Sequence, residues 1–153
     1  MVYIDEAGAD NRLFRPYARA LRGHKVYAYI PGRKRERHSM IGGWMRRKFM
    51  APFTFQGTCN ADVFNTWLAQ VLLPTVPKGT TIVMDNASFH KSAQTKELIA
   101  KTGCHLLFLP TYSPDLNPIE HVWHQIKSML RPLVQQSCES FQEKLERCLL
   151  SIA

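Results

Sequence analysis

The sequence has no uninterrupted apolar run near the roughly 18 to 20 residues that cross a bilayer, so no membrane-spanning helix is expected. Met1 is followed almost at once by Asp5 and Glu6, where a secretory leader would be basic and then apolar. The expected location is the cytoplasm. Cysteine is scarce: Cys59, Cys104, Cys138 and Cys148 are scattered, and no two form a Cys-x-x-Cys pair. That spacing indicates neither a disulfide framework nor a zinc knuckle. Internal repeats, linkers and low-complexity tracts are missing too, so nothing divides the chain. What remains is 153 residues, 45% hydrophobic and 10% aromatic, the size and apolar content of one domain spanning residues 1–153.

Acidic charge is short only in the first part. Residues 1–60 hold twelve Lys and Arg against four acids and residues 61–153 hold eight against eight, so the whole net charge of +8 sits in the first part. It concentrates in Arg33, Lys34, Arg35 and Arg37 and in Arg46, Arg47 and Lys48, each group flanked by strand-like segments. Two loop tips presenting cations on one side are expected, suited to a polyanion such as DNA through counterion release. A solvated loop that only keeps the protein soluble is the alternative that charge alone leaves open.

Periodicity places the elements. Val2, Tyr3 and Ile4 form a short apolar run into Asp5, and residues 25–30 alternate in period two before Pro31-Gly32. Residues 39–44 and 49–55 resume the strand pattern across the basic loop, which predicts an antiparallel meander. Asn60 is an N-cap, and Phe64, Trp67, Leu68, Val71 and Leu72 recur at helical spacing before Pro74. Residues 81–84 and 106–109 read as buried strands, with a helix over 91–101 between them that Gly103 closes. Asn117 and Pro118 open a helix whose buried stripe is Ile119, Val122, Trp123, Ile126 and Leu130. Phe141, Leu145, Cys148, Leu149 and Ile152 mark a last amphipathic helix. A meander followed by strand–helix alternation implies an α/β fold, a mixed sheet flanked by helices.

Three acids stand out in this frame: Asp5 and Asp85 at strand ends, and Glu120 on the first turn of a helix. Carboxylates are the oxygen ligands Mg2+ prefers, and two metals together clamp the attacking and leaving oxygens of a phosphoryl transfer. If the strands bearing Asp5 and Asp85 are neighbours, their backbones lie only about 4.8 Å apart, close enough for one metal to bridge both. Each acid also has a plainer reading. Glu120, three residues after Asn117, fits a capping box, Asp85 fits a turn, and Asp5 fits a surface ion pair. Glu6 competes with Asp5, but adjacent strand residues point to opposite faces and only one can join the site. Asp115 competes with Glu120 from the preceding loop. His121 and His124 are three apart, without the further ligands zinc needs. Trp44, Trp67 and Trp123 read as core anchors rather than base-stacking platforms.

The motifs Tyr3-Ile-Asp-Glu-Ala7, Met84-Asp-Asn-Ala-Ser-Phe-His90 and Leu109-Pro-Thr-Tyr-Ser-Pro-Asp-Leu-Asn-Pro-Ile-Glu-His-Val-Trp123 together resemble the three signature blocks of DDE transposases of the mariner superfamily, in its bacterial insertion-sequence branch. They occur in the family's order, and the 34 residues between Asp85 and Glu120 match its spacing. The resemblance implies an RNase H-like fold with a five-stranded sheet, and Asp5, Asp85 and Glu120 as catalytic and metal-binding residues holding two Mg2+ or Mn2+ ions. It implies DNA as partner, cut-and-paste excision, and insertion at a TA dinucleotide. Asn86, His90 and His124 are candidates for supporting the site, His90 by orienting a water, a phosphate or a carboxylate. No organic cofactor is called for.

Such transposases carry an N-terminal helix-turn-helix region that recognises transposon ends, whereas Met1 here stands four positions before Asp5. A separate recognition polypeptide, a truncated copy or an excised catalytic domain are the expectations this raises, with the dimeric state open. Two other functions remain in play: another RNase H-like nuclease such as a junction resolvase, and an inactive DNA-binding remnant.

Overall fold

A computed structural model describes residues 1–13, 18–27, 36–111, 113–134 and 139–153. Strand β1, Val2–Asp10, owes its length to alternation: Val2 and Ile4 enter one apolar layer, Ala7 and Ala9 the other. It pairs antiparallel with β2, Arg37–Met45, from Tyr3↔Trp44 to Asp10↔Arg37. β2 turns into β3, Lys48–Gln56, through Arg46 and Arg47 at φ 51° and 65°, the paired left-handed conformations of a tight hairpin turn. Ala51, at φ 53°, lies where the register between β2 and β3 shifts at Gly42, and Pro52 beside it is tolerated because β3 is an edge strand.

Two expectations are corrected here. The first strand is not a short run ending at Asp5; it continues five residues further and is itself the first strand of the meander. Residues 25–27 form no strand and are exposed, and residues 28–30 lie outside the described ones.

The chain then forms helix α1, Ala61–Trp67, capped by the Asn60 side chain accepting from the Val63 amide at 2.9 Å. It runs on as a wider turn over Leu68–Leu72 and a tight one over Leu73–Thr75 that contains Pro74. β4, Thr81–Met84, and β5, His105–Phe108, bracket α2, Ala93–Lys101, which Ser92 caps. α3, Ile119–Val134, and α4, Phe141–Leu150, complete the order.

The sheet runs β3-β2-β1-β4-β5, with β1 parallel to β4 and β4 parallel to β5, the mixed five-stranded sheet expected. Both faces are covered over β1, β2 and β4, whereas β5, expected as a buried strand, is an edge strand with His105 and Leu107 exposed. Val2, Ile4, Ile82 and Met84 pack under Phe64, Trp67, Leu68 and Leu72, while Met40 and Phe49 pack under Trp123, Ile126, Leu130 and Leu145. Each such side chain contributes about 1.5–3 kcal/mol by leaving water. The tryptophans act as expected: Trp67 and Trp123 are buried, and Trp44 packs partly buried beside α3. Cys59, Cys104 and Cys148 are free thiols, and Cys138 lies outside the described residues. Among the described residues no helix is long and apolar enough to cross a membrane.

Candidate active site

The register Val2↔Ile82 and Tyr3↔Val83, carried two residues on, sets Asp5 level with Asp85, which directly follows β4. Asp5 belongs to the α3 side of the sheet, and Glu120 enters from the first turn of α3. The three carboxylates line one cleft of about 360 Å³ together with Asn86, Ser113 and Asn117. Among the described residues, no lysine or arginine lines it.

Each acid sits in a different environment. Asp5 is half-buried; its Oδ1 accepts from the Glu6 amide at 2.8 Å, and its Oδ2 from Asn117 Nδ2 and Trp123 Nε1, both at 3.3 Å. Burial, then the nearby charges of Glu6 and Glu120, raise its pKa from 3.8 to about 7, against the lowering effect of the Glu6 amide and Trp123. Room for Trp123 comes from Gly42, the partner of Asp5 across β2, where a Cβ would stand 2.3 Å from the Phe49 ring and 3.3 Å from Trp123. Phe49 and Trp123 then meet edge to face at 5.5 Å.

Asp85 is held the opposite way. Its Oδ1 accepts from the Ala87 amide at 2.9 Å and lies 2.7 Å from His90 Nδ1, and the hydrogen bond from His90 keeps its carboxyl below the usual carboxylate range. Glu120 is exposed at the cleft mouth.

Of the supporting candidates, Asn86 donates to the Leu109 carbonyl, tying the loop after β4 to the end of β5. His90 is fully buried and joins Asp85 to Glu6, with Glu6 Oε1 at 2.8 Å from its Nε2. Burial alone would lower its pKa, but the hydrogen bonds to Asp85 and Glu6 outweigh that and raise it to about 9. His124 is exposed and does not line the cleft, so the structure does not bring it to the acids. Asp115 is also exposed and outside the cleft.

The capping-box reading of Glu120 fails. Asn117 donates its side-chain amide to Asp5, and its Oδ1 is buried without a partner, so that side chain caps nothing. Asn117, Trp123 and Glu6 are the residues whose part in the site the sequence patterns missed. Asn117 reads as a cap, Trp123 as a core anchor and Glu6 as a decoy, and only the parity of β1 hints that Glu6 faces the layer holding His90.

Among the described basic residues, Arg37 opens β2 beside Asp10, whereas Arg46, Arg47 and Lys48 lie at its other end. At roughly 3.4 Å per residue, the length of β2 separates them. Arg37 folds across Gly8, where a Cβ would come within 2.9 Å of its Nη2. Arg33, Lys34 and Arg35 lie outside the described residues.

The sequence matches the family described as "DDE superfamily endonuclease" over residues 1–143. The chain belongs to that family. It is 30% identical over 91 residues to the Tc1 transposase of Caenorhabditis elegans, covering 60% of this chain and 33% of that protein. The fold resembles the Mos1 strand transfer complex, with TM-score 0.75 at 19% identity over 98% of this chain and 46% of that one. It also resembles the Mos1 mariner paired end complex with Mn, with TM-score 0.70 at 18% identity over 99% and 52%. The chain thus spans about a third to a half of the length of these relatives. This endonuclease domain is RNase H-like and related to the Tc1/mariner transposases.

Among the described residues, no three His, Cys, Asp or Glu side chains are drawn close enough to hold a metal ion as placed. Like charges facing one cleft repel, and Asp5 is turned toward Asn117 and Trp123 instead. The donor chemistry nevertheless suits a hard divalent cation: three carboxylates and the unpartnered Asn117 oxygen, with no basic residue among the described ones lining the cleft.

Proposed function

We propose that this endonuclease domain is the catalytic part of a cut-and-paste DNA transposase of the bacterial insertion-sequence type, with Asp5, Asp85 and Glu120 holding two divalent ions, Mg2+ or Mn2+. The observation that carries this reading is the convergence of those three acids, from β1, the end of β4 and the first turn of α3, on one cleft. When bound, the ions supply charge neutralisation at phosphorus and a more acidic nucleophile.

The chain's own residues supply position. Asp85 faces the cleft already ionised, because His90 holds one of its oxygens. Asp5, whose pKa lies at about 7, would have to give up its proton to hold a cation. Glu120 completes the set from the rigid start of α3. One cleft serves both hydrolysis at a transposon end and attack of a 3′-hydroxyl on target DNA at a TA step, because both are in-line displacements that differ only in nucleophile.

The partners proposed are transposon-end and target DNA, a helix-turn-helix segment or polypeptide that recognises the ends, and a second copy in the synaptic assembly. Arg37, Arg46, Arg47 and Lys48, with Arg33, Lys34 and Arg35, contribute sequence-independent phosphate contacts. The proposed location is the bacterial cytoplasm, on the nucleoid when DNA is bound.

The test is nicking of supercoiled plasmid with Mn2+, wild type against Glu120→Gln, followed by an assay for joined 3′ ends. Mn2+-dependent nicking lost in the variant supports the reading; equal nicking by both sinks it. Hydrolysis without joining would reassign the domain to a nuclease.

A further inference from the structure

We infer that Glu6 is a positioning residue that acts through His90 to fix Asp85 relative to Asp5; this rests on the proposed role of those two aspartates as ion ligands. The backbone ladder between β1 and β4 ends at Tyr3↔Val83, before either aspartate. Beyond it the main-chain amides of Glu6 and Ala87 each hold the carboxylate nearest them, Asp5 and Asp85, but neither bond joins one aspartate to the other. The gap is closed by side chains: Glu6 Oε1 stands 2.8 Å from His90 Nε2, and His90 Nδ1 stands 2.7 Å from Asp85 Oδ1.

The imidazole has no freedom left. It is fully buried, with the Phe64 and Phe89 rings at 4.4 and 4.3 Å between centroids, and both its nitrogens are engaged. Turning the ring over would exchange each nitrogen for a carbon and break both bonds at once. Asp85 needs such an anchor because its side chain is about half exposed at the end of a strand, where a free carboxylate would sample several rotamers. Fixing Oδ1 on the inner side leaves Oδ2 to the cleft. The Asp5-Glu6 pair thus works on both faces of the sheet: Asp5 enters the cleft directly, and Glu6 reaches the second carboxylate from behind.

Two substitutions separate position from charge. Glu6→Asp keeps the negative charge and withdraws the acceptor by one methylene; Glu6→Gln removes the charge and keeps an oxygen within reach of Nε2. Mn2+ affinity, measured by titration calorimetry and by the electron-spin signal of free Mn2+, should weaken about tenfold or more in Glu6→Asp and by no more than about threefold in Glu6→Gln. Both variants should still unfold in one cooperative transition, Glu6→Gln at a somewhat lower temperature at neutral pH because His90 loses a charged partner. Reversed order, or equal affinities in all three proteins, overturns the inference while leaving the transposase reading intact. A wild-type protein that binds no Mn2+ at all removes that reading and this inference with it.

Discussion

Asp5 and Glu6 are neighbours in one strand facing opposite layers, and the two layers treat acid differently. On the Glu6 side the polar group is closed in by aromatic rings and carries its own counterpart, His90. On the Asp5 side the acids share an open cleft that no described basic residue lines, and burial together with the charges of Glu6 and Glu120 raises the Asp5 pKa to about 7. The first arrangement is satisfied within the fold. The second leaves its acids without a counterpart among the described residues, and the proposed function gives that role to a cation.

The sharpest way to break this comparison is on the open side. Asp85→Asn should cut Mn2+-dependent nicking by about a thousandfold or more, since it removes the charge of a carboxylate proposed to hold an ion. Asp115→Asn, outside the cleft, should stay within about twofold in the same plasmid assay.

Next in size is the wall between the layers. Trp123→Ala should cost about 3–5 kcal/mol in urea unfolding through the cavity it leaves. Gly42→Ala should cost about 1–3 kcal/mol, because the new methyl meets the Phe49 ring.

The two faces should also titrate in separate windows. Folding raises Asp5 from 3.8 to about 7, so between those values the folded state holds a proton that the unfolded chain has released. Without divalent ions, melting temperature should therefore fall as pH rises from about 4 to about 7, and Asp5→Asn should remove that slope. Mn2+ should displace the proton and offset the fall. His90, raised from 6.5 to about 9, contributes stability that is complete below its ordinary range and fades as pH approaches 9. Glu6→Gln should shrink both falls, because the Glu6 charge helps to raise His90 and Asp5 alike.

The smallest effect lies at the end of the sheet remote from the cleft. Arg46 and Arg47 adopt left-handed conformations that cost most side chains about 1–2 kcal/mol each. Arg46→Asn with Arg47→Gly should raise unfolding free energy by about 1 kcal/mol and lower the salt slope of DNA binding by about two at most. A larger loss of DNA affinity would make that tip a principal DNA contact.

Much of the architecture could be read in advance where periodicity was strong. β4 has the expected bounds, the Asn60 cap is in place, and the stripe from Ile119 to Leu130 is buried as its spacing requires. The first strand was misjudged because Glu6, Gly8 and Asp10 are poor strand formers, and only pairing along β2 keeps them extended. Arg37 and Arg46 look close in sequence, but β2 carries them to its opposite ends. His124 was drawn in by nearness to Glu120, yet at four residues' remove it points to solvent. Asn117 was hidden because the same residue type and position serve equally for capping a helix and for donating to a carboxylate.

Local order and the identity of the three acids were determined by the sequence alone, since hydrophobic period, capping residues and motif spacing are properties of neighbours along the chain. Which acid is held charged, which is held near neutral pH, and which third residue steadies them was decided only by tertiary structure. Those outcomes depend on burial and on contacts such as Glu6 to His90, 84 residues apart, and no local pattern encodes the distance across which two side chains meet.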